Sequence, residues 1–393
     1  MNKFLIVDFG ASLKHTHHKQ SIFAFSTLLE TENTNFDVWI PIGSEIENTD
    51  VKMNRILLPG THPCQLSIRK LNTWLPATLG KLNNIAAKYR IKFILFALLY
   101  ITALHFNLLF KLRYKNDRIS IIFTTTCPFS LRAIYLMELF RIKVNIYCRI
   151  TNTAEIRGIL ADVITLDTFK EKVKKFKYVN VFFGFETKAL LNKNKGEINN
   201  RLFISKFPSQ QKNLIKEVVS ENFTISFLGF PTRNKGHNII GSIIKQVGEK
   251  RPNYVWQVQL YQDDPLILEL NNLKLNIKIL EGKISRELMI ESLKNTTLIC
   301  LPYDVAAFKY NSSAMMYEST DYLVPVVTFC GSAFATDVDD FFCGVTVRDQ
   351  GGMVDQMINL DSNLVNKWIE GCSRYNAYRN ESNLSFLSLD SGI

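Results

Sequence analysis

The stretch of sequence that decides the fold reads TISFLGFPTRNKGHNIIGSIIKQVGE and covers residues 224–249. Its first part, Thr224–Leu228, has the apolar and β-branched composition of a buried strand. A turn bounded by glycines, Gly229–Gly236, comes next. From His237 to Glu249 the apolar residues recur at helical spacing. A buried strand that runs through a short glycine turn into a helix is the repeating unit of a parallel α/β sheet.

The same alternation of short buried strands and helices extends over the rest of the chain. In the second half, further strands are predicted at Val255–Leu260, Ile277–Leu280, Leu298–Leu301, Val324–Thr328 and Gly344–Val347, and helices at Ser285–Lys294, Ser312–Tyr322, Gly352–Leu360 and Ser362–Tyr378. In the first half, strands are predicted at Phe4–Val7, Phe36–Ile40, Arg55–Leu58, Ile119–Thr124, Val144–Cys148, Val163–Leu166 and Val179–Phe182, and helices at Lys19–Glu30, Leu66–Arg90, Phe129–Phe140 and Thr168–Phe176.

The chain of 393 residues has the length of two such domains. The polar segment Ser205–Asn222 interrupts the rhythm of strands and places the boundary. We predict a first domain over residues 1–210, a second domain over 222–362, and a helix and tail over 363–393. The polar tail Asn380–Ile393 is expected to be poorly ordered. The predicted fold class is α/β, with two doubly wound Rossmann-like domains that face each other across a cleft.

The composition is that of a globular protein with an excess of positive charge. Hydrophobic residues make up 47% and charged residues 21%, which excludes a disordered chain. There are 47 Lys and Arg against 36 Asp and Glu, a formal net charge of +11 that favours anionic partners. The seven cysteines are scattered and form no CxxC pair, so we expect a reducing compartment without structural zinc. The amino-terminal apolar run stops at Asp8, too early for a signal peptide, and predicts a cytoplasmic protein.

One apolar segment, residues 93–110, contains no charged side chain and is flanked by basic residues on both sides. Its length is at the lower limit of a transmembrane helix. Tyr100, Thr102, His105 and Asn107 interrupt it, and basic flanks at both ends do not orient a span. A helix buried in the domain or a helix lying in the headgroup layer fits the pattern better than a true span, and these alternatives stay open.

Two cations follow the strand of the opening segment. Arg233 and Lys235 lie just before a helix, whose free amide groups favour anions. A diphosphate requires several donors, positive charge and a backbone that comes close, and Gly236 leaves room for the close approach. The alternative is a solvated turn with two surface cations, which has equal weight when the turn is taken alone.

A second segment has the same strand–loop–helix layout. Cys300–Asp304 ends a strand, and Ser312 and Ser313 open a helix that carries Glu318. Hydroxyls and amides at a helix start can bind phosphate oxygens, and a carboxylate in the second turn can accept both hydroxyls of a ribose. The alternatives are plain helix capping for the two serines and a surface position for the glutamate.

Together these two segments resemble the carboxyl-terminal domain of the GT-B glycosyltransferases, in particular the retaining family 4-like group. That family has a glycine turn with Arg and Lys before a Gly, matched here by Gly229 to Gly236. It continues with a proline-containing strand end, a helix with a Glu, and a Pro-Val-Val strand, matched by Pro302, Glu318 and Pro325. The loop Gly282–Ser285, with Lys283, matches the glycine loop beside the nucleotide base. The resemblance covers about residues 223–347 and implies a nucleotide-sugar-dependent transferase. It also implies that the domain over 1–210 binds the acceptor and that the domain over 222–362 binds the nucleotide-sugar.

The chain departs from the family pattern at three places. The first of the family's paired glutamates falls on Tyr310, so the group that meets the transferred sugar is either absent or replaced by Tyr310 or Asp304. The glycine before Pro325 is missing. The family's usual arginine position, five residues before the lysine, holds Phe230. These departures leave the donor sugar and the stereochemical outcome open.

The first domain offers an acceptor-side loop after its first strand. Gly10 permits a turn there, and His17 and His18 are the predicted catalytic residues, as base or acceptor clamp, together with Tyr310. Exposed histidines without a role are an equally weighted alternative, and a metal site is disfavoured because no matching Cys, Asp or Glu cluster is near. Arg149, at the end of a strand, is a predicted cleft residue.

The combined prediction is a hexosyltransferase that moves a sugar from a nucleotide-sugar donor to a saccharide or lipid-linked acceptor in surface polysaccharide or glycolipid synthesis. We expect no cofactor and no metal, no nucleic-acid partner, and a peripheral position on the inner face of the cell membrane. Arg233, Lys235, Ser312 and Ser313 are predicted to bind the donor diphosphate and Glu318 the ribose. Two rivals remain: a non-catalytic sugar- or nucleotide-binding protein, and a phosphorylase or epimerase of the same architecture.

Overall fold

The structure is a computed structural model of the chain. It describes residues 3–8, 17–41, 53–56, 103–114, 119–124, 126, 128–151, 166–195, 201–210, 214–219 and 222–387. The chain divides into two compact units. The first comprises Met1–Pro208 together with Ser382–Ile393, and the second comprises Ser209–Glu381.

The first unit is built on a seven-stranded sheet with the order β3-β2-β1-β4-β5-β6-β7. All neighbouring strands pair in parallel. The strands are β1 Lys3–Val7, β2 Phe36–Pro41, β3 Met53–Ile56, β4 Ile119–Phe123, β5 Val144–Ile150, β6 Val179–Phe185 and β7 Leu202–Ile204. The helices are α1 His17–Thr31, α2 at residues 103–113, α3 Pro128–Leu139, α4 Leu166–Val173 and α5 Lys188–Lys193. The strands are apolar on both faces, as expected of a parallel sheet covered by helices.

Helix α2 carries the described part of the apolar segment 93–110. Its Phe106 is fully buried and its ring lies 5.6 Å from that of Trp39, so this face belongs to the core of the first unit. The opposite face exposes Leu104, Leu108 and Leu112 by 39%, 49% and 79%. Residues 93–102 lie outside the described residues. Among the helices that the structure describes, none is long and apolar enough to cross a membrane.

The second unit is built on a six-stranded parallel sheet with the order β10-β9-β8-β11-β12-β13. Its strands are β8 Thr224–Phe227, β9 Val255–Leu260, β10 Asn276–Glu281, β11 Leu298–Leu301, β12 Val326–Phe329 and β13 Gly344–Val347. Its helices are α6 Ile240–Lys250, α7 Pro265–Asn271, α8 Arg286–Lys294, α9 Ala314–Asp321, α10 Ala335–Phe341, α11 Gln350–Ile358 and α12 Ser362–Leu387. In both sheets the strand order reverses beside the first strand, as in a doubly wound fold. The predicted α/β class is confirmed.

Several predicted elements differ from the structure. β7, α5, α7 and α10 were not predicted from the sequence, because each has at most seven residues and is too short for a clear period. Helix α6 begins at Ile240 rather than at His237, because Gly236 adopts a left-handed conformation and two 3₁₀ turns precede the helix. The predicted helix 66–90 lies outside the described residues. Residues 163–165 of the predicted strand 163–166 also lie outside the described residues, and Leu166 is the first residue of α4.

The expectation of a poorly ordered tail from Asn380 is wrong for residues 380–387, which are helical. The last turns of α12 belong to the first unit, where Leu387 joins the core cluster around β1 and Leu384 packs against it. The Asn383 side chain donates to the Lys206 carbonyl at 2.7 Å, and its carbonyl oxygen accepts from the Ser205 hydroxyl at 2.7 Å. These contacts are remote in sequence, so composition did not reveal them.

Candidate active site

A pocket lies at the point where the strand order of the second unit reverses. Strands β8 and β11 are neighbours in the sheet, and their connections leave in opposite directions along it. Ligands of doubly wound sheets bind outside the carboxyl ends of the strands at such a point. The empty volume is about 270 Å³, including open solvent, and the lining residues include Gly229, Lys235, His237, Gln259, Pro302 and Tyr303.

The turn after β8 packs directly against the end of β11. Gly236 has φ +76°, and a Cβ added there would lie 2.2 Å from the Pro302 carbonyl oxygen. Only glycine therefore fits at this position. The Asp304 amide donates to the Asn234 carbonyl at 2.9 Å and fastens the same contact. The two segments singled out in the sequence thus meet at one place.

Lys235 brings a poorly hydrated positive charge to the pocket. Burial lowers the pKa of its ammonium, because removal from water disfavours the charged form. Nζ lies 5.8 Å from the centre of the Tyr303 ring, and no ion pair to a carboxylate is found for it in the part of the chain that the structure describes. Arg233 is exposed and begins the 3₁₀ turn that ends with Lys235. The two cations lie on one turn, of which Lys235 lines the pocket.

Gln259 forms hydrogen bonds to two of the loops around the pocket. It lies near the end of β9, is buried, and accepts a hydrogen bond from the Gly229 amide at 2.9 Å. Its side-chain amide donates to the Gly282 carbonyl at 2.8 Å. One side chain therefore connects the cation turn with the loop that precedes α8. The sequence analysis gave Gln259 no role, since nothing in the sequence shows which loops a strand residue bridges.

The two serines before α9 differ in their surroundings. Ser313 caps the helix, and its hydroxyl accepts from the Met316 amide at 3.2 Å. The Ser312 hydroxyl oxygen is buried without a hydrogen-bond partner among the described residues. The cap brings Met315 to the pocket, because its Cε would lie 3.4 Å from a Cβ added at Gly229. The start of α9 therefore reaches the glycine turn, and Ser312 holds an unused polar group.

Glu318 lies in α9 and pairs with Arg286, the first residue of α8, at 2.6 Å. The Arg286 side chain is 40% exposed and the Glu318 side chain 17%. Burial raises the pKa of the Tyr303 hydroxyl, and the charge of Glu318 adds to that effect. Glu318 is therefore close to the pocket residue Tyr303. The sequence analysis missed Arg286, although it belongs to the loop-and-helix motif that was identified.

His237 contacts a carboxylate at the pocket. Its Nε2 lies 2.7 Å from an oxygen of Asp264, the capping residue of α7. The imidazole lies 6.0 Å from the ring of Tyr261, which in turn meets the Phe230 ring edge-on at 5.0 Å. Phe230 and Tyr261 are both exposed. An aromatic pair therefore stands where the family pattern has an arginine.

The other predicted residues of the second unit lie on the loops around this pocket. The Asp304 carboxylate accepts from the Ala307 amide at 2.7 Å and shapes the loop after β11. The Lys309 ammonium lies 5.6 Å from the centre of the Tyr310 ring. Lys283 is exposed, next to the Gly282 carbonyl that Gln259 holds. The structure shows their positions, and their roles toward a sugar stay predictions.

In the first unit, Arg149 is buried at the carboxyl end of β5. It pairs with Glu186 at 2.6 Å and lies 5.4 Å from the centre of the Phe207 ring. At the neighbouring strand ends, the Thr124 hydroxyl donates to the Asp8 carboxylate. Arg149 thus belongs to a buried polar cluster at the sheet edge. His17 and His18 begin α1, but their side chains and Gly10 lie outside the described residues.

Comparisons with known proteins find similarity in structure only. No family model and no curated protein sequence matches the chain. An apo structure of OtsA matches with 12% identity and a TM-score of 0.60, covering 100% of this chain and 99% of that chain. WaaG, a glycosyltransferase involved in lipopolysaccharide biosynthesis, matches with 13% identity and a TM-score of 0.53 over 100% of both chains. A trehalose-6-phosphate structure from E. coli bound with UDP-2-fluoro glucose matches with 10% identity and a TM-score of 0.56, over 100% and 99%. The chain has the GT-B glycosyltransferase fold.

Proposed function

We propose that this protein is a glycosyltransferase that uses a nucleotide-sugar donor, and that the diphosphate of the donor binds in the pocket between β8 and β11. The observation that carries the proposal is Lys235. The Lys235 ammonium is half-buried and has no carboxylate partner among the described residues, which is unfavourable, and an anionic ligand offsets that cost. The pocket also stands where doubly wound sheets bind nucleotides.

The neighbouring residues supply the other donor contacts in this proposal. Arg233 adds a second cation from the same turn, and the buried Ser312 hydroxyl and the amides at the start of α9 add hydrogen bonds. Glu318 accepts the ribose hydroxyls. As the bond to the sugar breaks, negative charge grows on the leaving nucleotide, and the two cations stabilise it. We propose that no metal and no cofactor are needed, because side-chain cations carry this charge.

We propose a hexose as the transferred sugar and a saccharide or lipid-linked molecule as the acceptor, in surface polysaccharide or glycolipid synthesis. The similarity to WaaG, described as involved in lipopolysaccharide biosynthesis, supports this acceptor class. The acceptor binds the first unit, with His17 or His18 as base, and Tyr310 or Asp304 meets the transferred sugar.

A peripheral position on the inner face of the cell membrane completes the proposal. The exposed leucines of α2 lie beside the exposed Lys111 and Arg113. An apolar stripe edged by cations suits the boundary of an acidic lipid layer. The net charge of +11 acts in the same direction.

The test is calorimetric binding of UDP-glucose, ADP-glucose and GDP-mannose to the full chain. We expect one of them to bind, and Lys235→Ala and Arg233→Ala each to weaken it by about 1.5–3 kcal/mol, the range of a hydrogen bond to a charged group. Lys245→Ala is the matched control, because Lys245 is an exposed lysine of α6 and does not line the pocket. Equal affinity in wild type and both pocket variants would contradict the diphosphate assignment.

A further inference from the structure

We propose that His237 is a third, proton-dependent contact to the diphosphate of the donor, so that donor binding takes up a proton. This inference rests on the proposed function, since it assumes that the pocket between β8 and β11 holds the diphosphate. His237 was part of the segment identified in the sequence, but the diphosphate assignment used only Arg233 and Lys235.

The position of the imidazole is fixed from one side. His237 lines the pocket with Lys235 and is 26% exposed, whereas the Asp264 carboxylate behind it is 4% exposed. One oxygen of Asp264 accepts from the Leu266 amide at 3.0 Å, and the other meets His237 Nε2 at 2.7 Å. The carboxylate is therefore held by its own helix and presents a fixed acceptor to the ring.

This arrangement determines which ring nitrogen can form a hydrogen bond with a ligand. An ionised carboxylate only accepts hydrogen bonds, so Nε2 carries a proton and donates to Asp264. The remaining nitrogen, Nδ1, makes no hydrogen bond to any residue that the structure describes. When the ring is neutral, Nδ1 is an acceptor and offers nothing to a phosphate. When the ring is protonated, Nδ1 becomes a charged donor at the wall of the pocket.

Groups of both charges surround the imidazole. The Asp264 carboxylate lies against Nε2 at 2.7 Å, and Lys235 ends the 3₁₀ turn that precedes His237. Glu269 of α7 faces α6 at Gly241, where its Oε1 would lie 3.1 Å from an added Cβ. Cys300 and Tyr303 also line the pocket, and burial raises the pKa of both side chains. The Tyr261 ring lies 6.0 Å from the imidazole.

A diphosphate changes this balance. Its negative charge screens Lys235 from His237 and adds an acceptor for Nδ1–H, so the protonated ring is favoured in the complex. Histidine changes its charge between pH 5 and 8, which makes the effect visible near neutral pH. Binding then couples to the uptake of up to one proton, and the affinity for the donor rises as the pH falls.

The experiment measures proton uptake by calorimetry at pH 7 in buffers with different ionisation enthalpies. The probe is whichever of UDP-glucose, ADP-glucose and GDP-mannose binds the wild-type protein, because a diphosphate diester does not itself titrate near neutral pH. We expect a fractional proton to be taken up and the affinity to rise roughly tenfold from pH 8 to pH 6, the scale of a hydrogen bond to a charged group.

Two variants at the same position test the role of the charge. His237→Gln should abolish both the proton uptake and the pH dependence, whereas His237→Lys, with a fixed charge, should bind tightly at both pH values without proton uptake. His105→Gln, a histidine of α2 in the first unit, is the control and should behave as wild type. Asp264→Asn should reduce the proton uptake while the donor still binds.

The outcomes separate the two proposals. If no nucleotide sugar binds, or if binding does not depend on Lys235, the proposed function fails. If binding depends on Lys235 but the proton uptake is zero, or is the same in wild type and His237→Gln, the diphosphate site stands and the role of His237 is overturned.

Discussion

The contact between the cation turn and the end of β11 can be tested with Gly236→Ala. Gly236 lies at φ +76°, and an added Cβ would come within 2.2 Å of the Pro302 carbonyl oxygen, 2.6 Å of its Cγ and 2.9 Å of its Cβ. Cβ atoms essentially never approach other atoms within 3.0 Å, so the turn and the strand end must separate by about 0.8 Å or distort. The turn that must move is the one that carries Lys235.

The expected loss of stability has three contributions. An alanine in the left-handed region costs about 1–2 kcal/mol, and overpacking against a backbone carbonyl costs about 1–3 kcal/mol. Alanine also reduces the conformational entropy of the unfolded chain, which stabilises the folded state by about 0.4–1 kcal/mol. The net destabilisation is therefore about 1–5 kcal/mol.

Gly282→Ala is the matched control for this experiment. Gly282 has a similar φ of +67°, but nothing lies within 4 Å of an added Cβ. Gly282→Ala has the cost of a left-handed alanine but no steric overlap, so we expect the free energy of unfolding to fall by about 1 kcal/mol. Hydrogen exchange of peptides from β8 and β11 reports the stability of the second unit in both variants. Binding of inorganic pyrophosphate reports the diphosphate contacts, which only Gly236→Ala should weaken. Equal protection in the two variants would refute the close packing of Gly236 on Pro302.

Two further predictions concern the ribose and the membrane. Glu318→Gln should weaken binding of a nucleoside diphosphate roughly tenfold while pyrophosphate binding changes little, because the carboxylate binds the ribose. Arg286→Gln removes the ion pair but keeps the Glu318 carboxylate, and so separates the two effects. If Glu318→Gln weakens binding of the nucleoside diphosphate and of pyrophosphate equally, Glu318 does not contact the ribose. Replacing Leu104 and Leu108 by glutamate should reduce co-sedimentation with phosphatidylglycerol vesicles at unchanged thermal stability, because both side chains are exposed. Undiminished vesicle binding by this double variant would exclude α2 as the membrane contact.

The fold could be predicted from the sequence because a parallel sheet repeats a visible pattern. The run 224–249 shows strand, glycine turn and helix in order, and the structure follows it from β8 into α6. The start of α6 was displaced because Gly236 interrupts the helical hydrogen bonds. The helical end of α12 escaped prediction, since Leu387 is stabilised by a core built from residues near the other end of the chain.

The candidate site could be predicted to the extent that its residues follow strands directly. Lys235 and Ser312 come from connections after β8 and β11, whose carboxyl ends meet at one edge of the sheet. Gln259 and Asp264 could not be found in this way. Each acts through a partner more than twenty positions away, and only the packing of three neighbouring strands shows which loops they join.

The membership of α12 in both units has a consequence for how the protein is made. The first unit needs Leu384 and Leu387 to complete its core, but the ribosome adds these residues only after the whole second unit. Roughly 180 residues separate them from Pro208, about 10–35 s of synthesis at usual rates. The second unit, whose residues run without a break from 209 to 381, can therefore finish folding before the first. A polypeptide terminated before residue 382 would contain a second unit that can fold and a first unit whose core is incomplete.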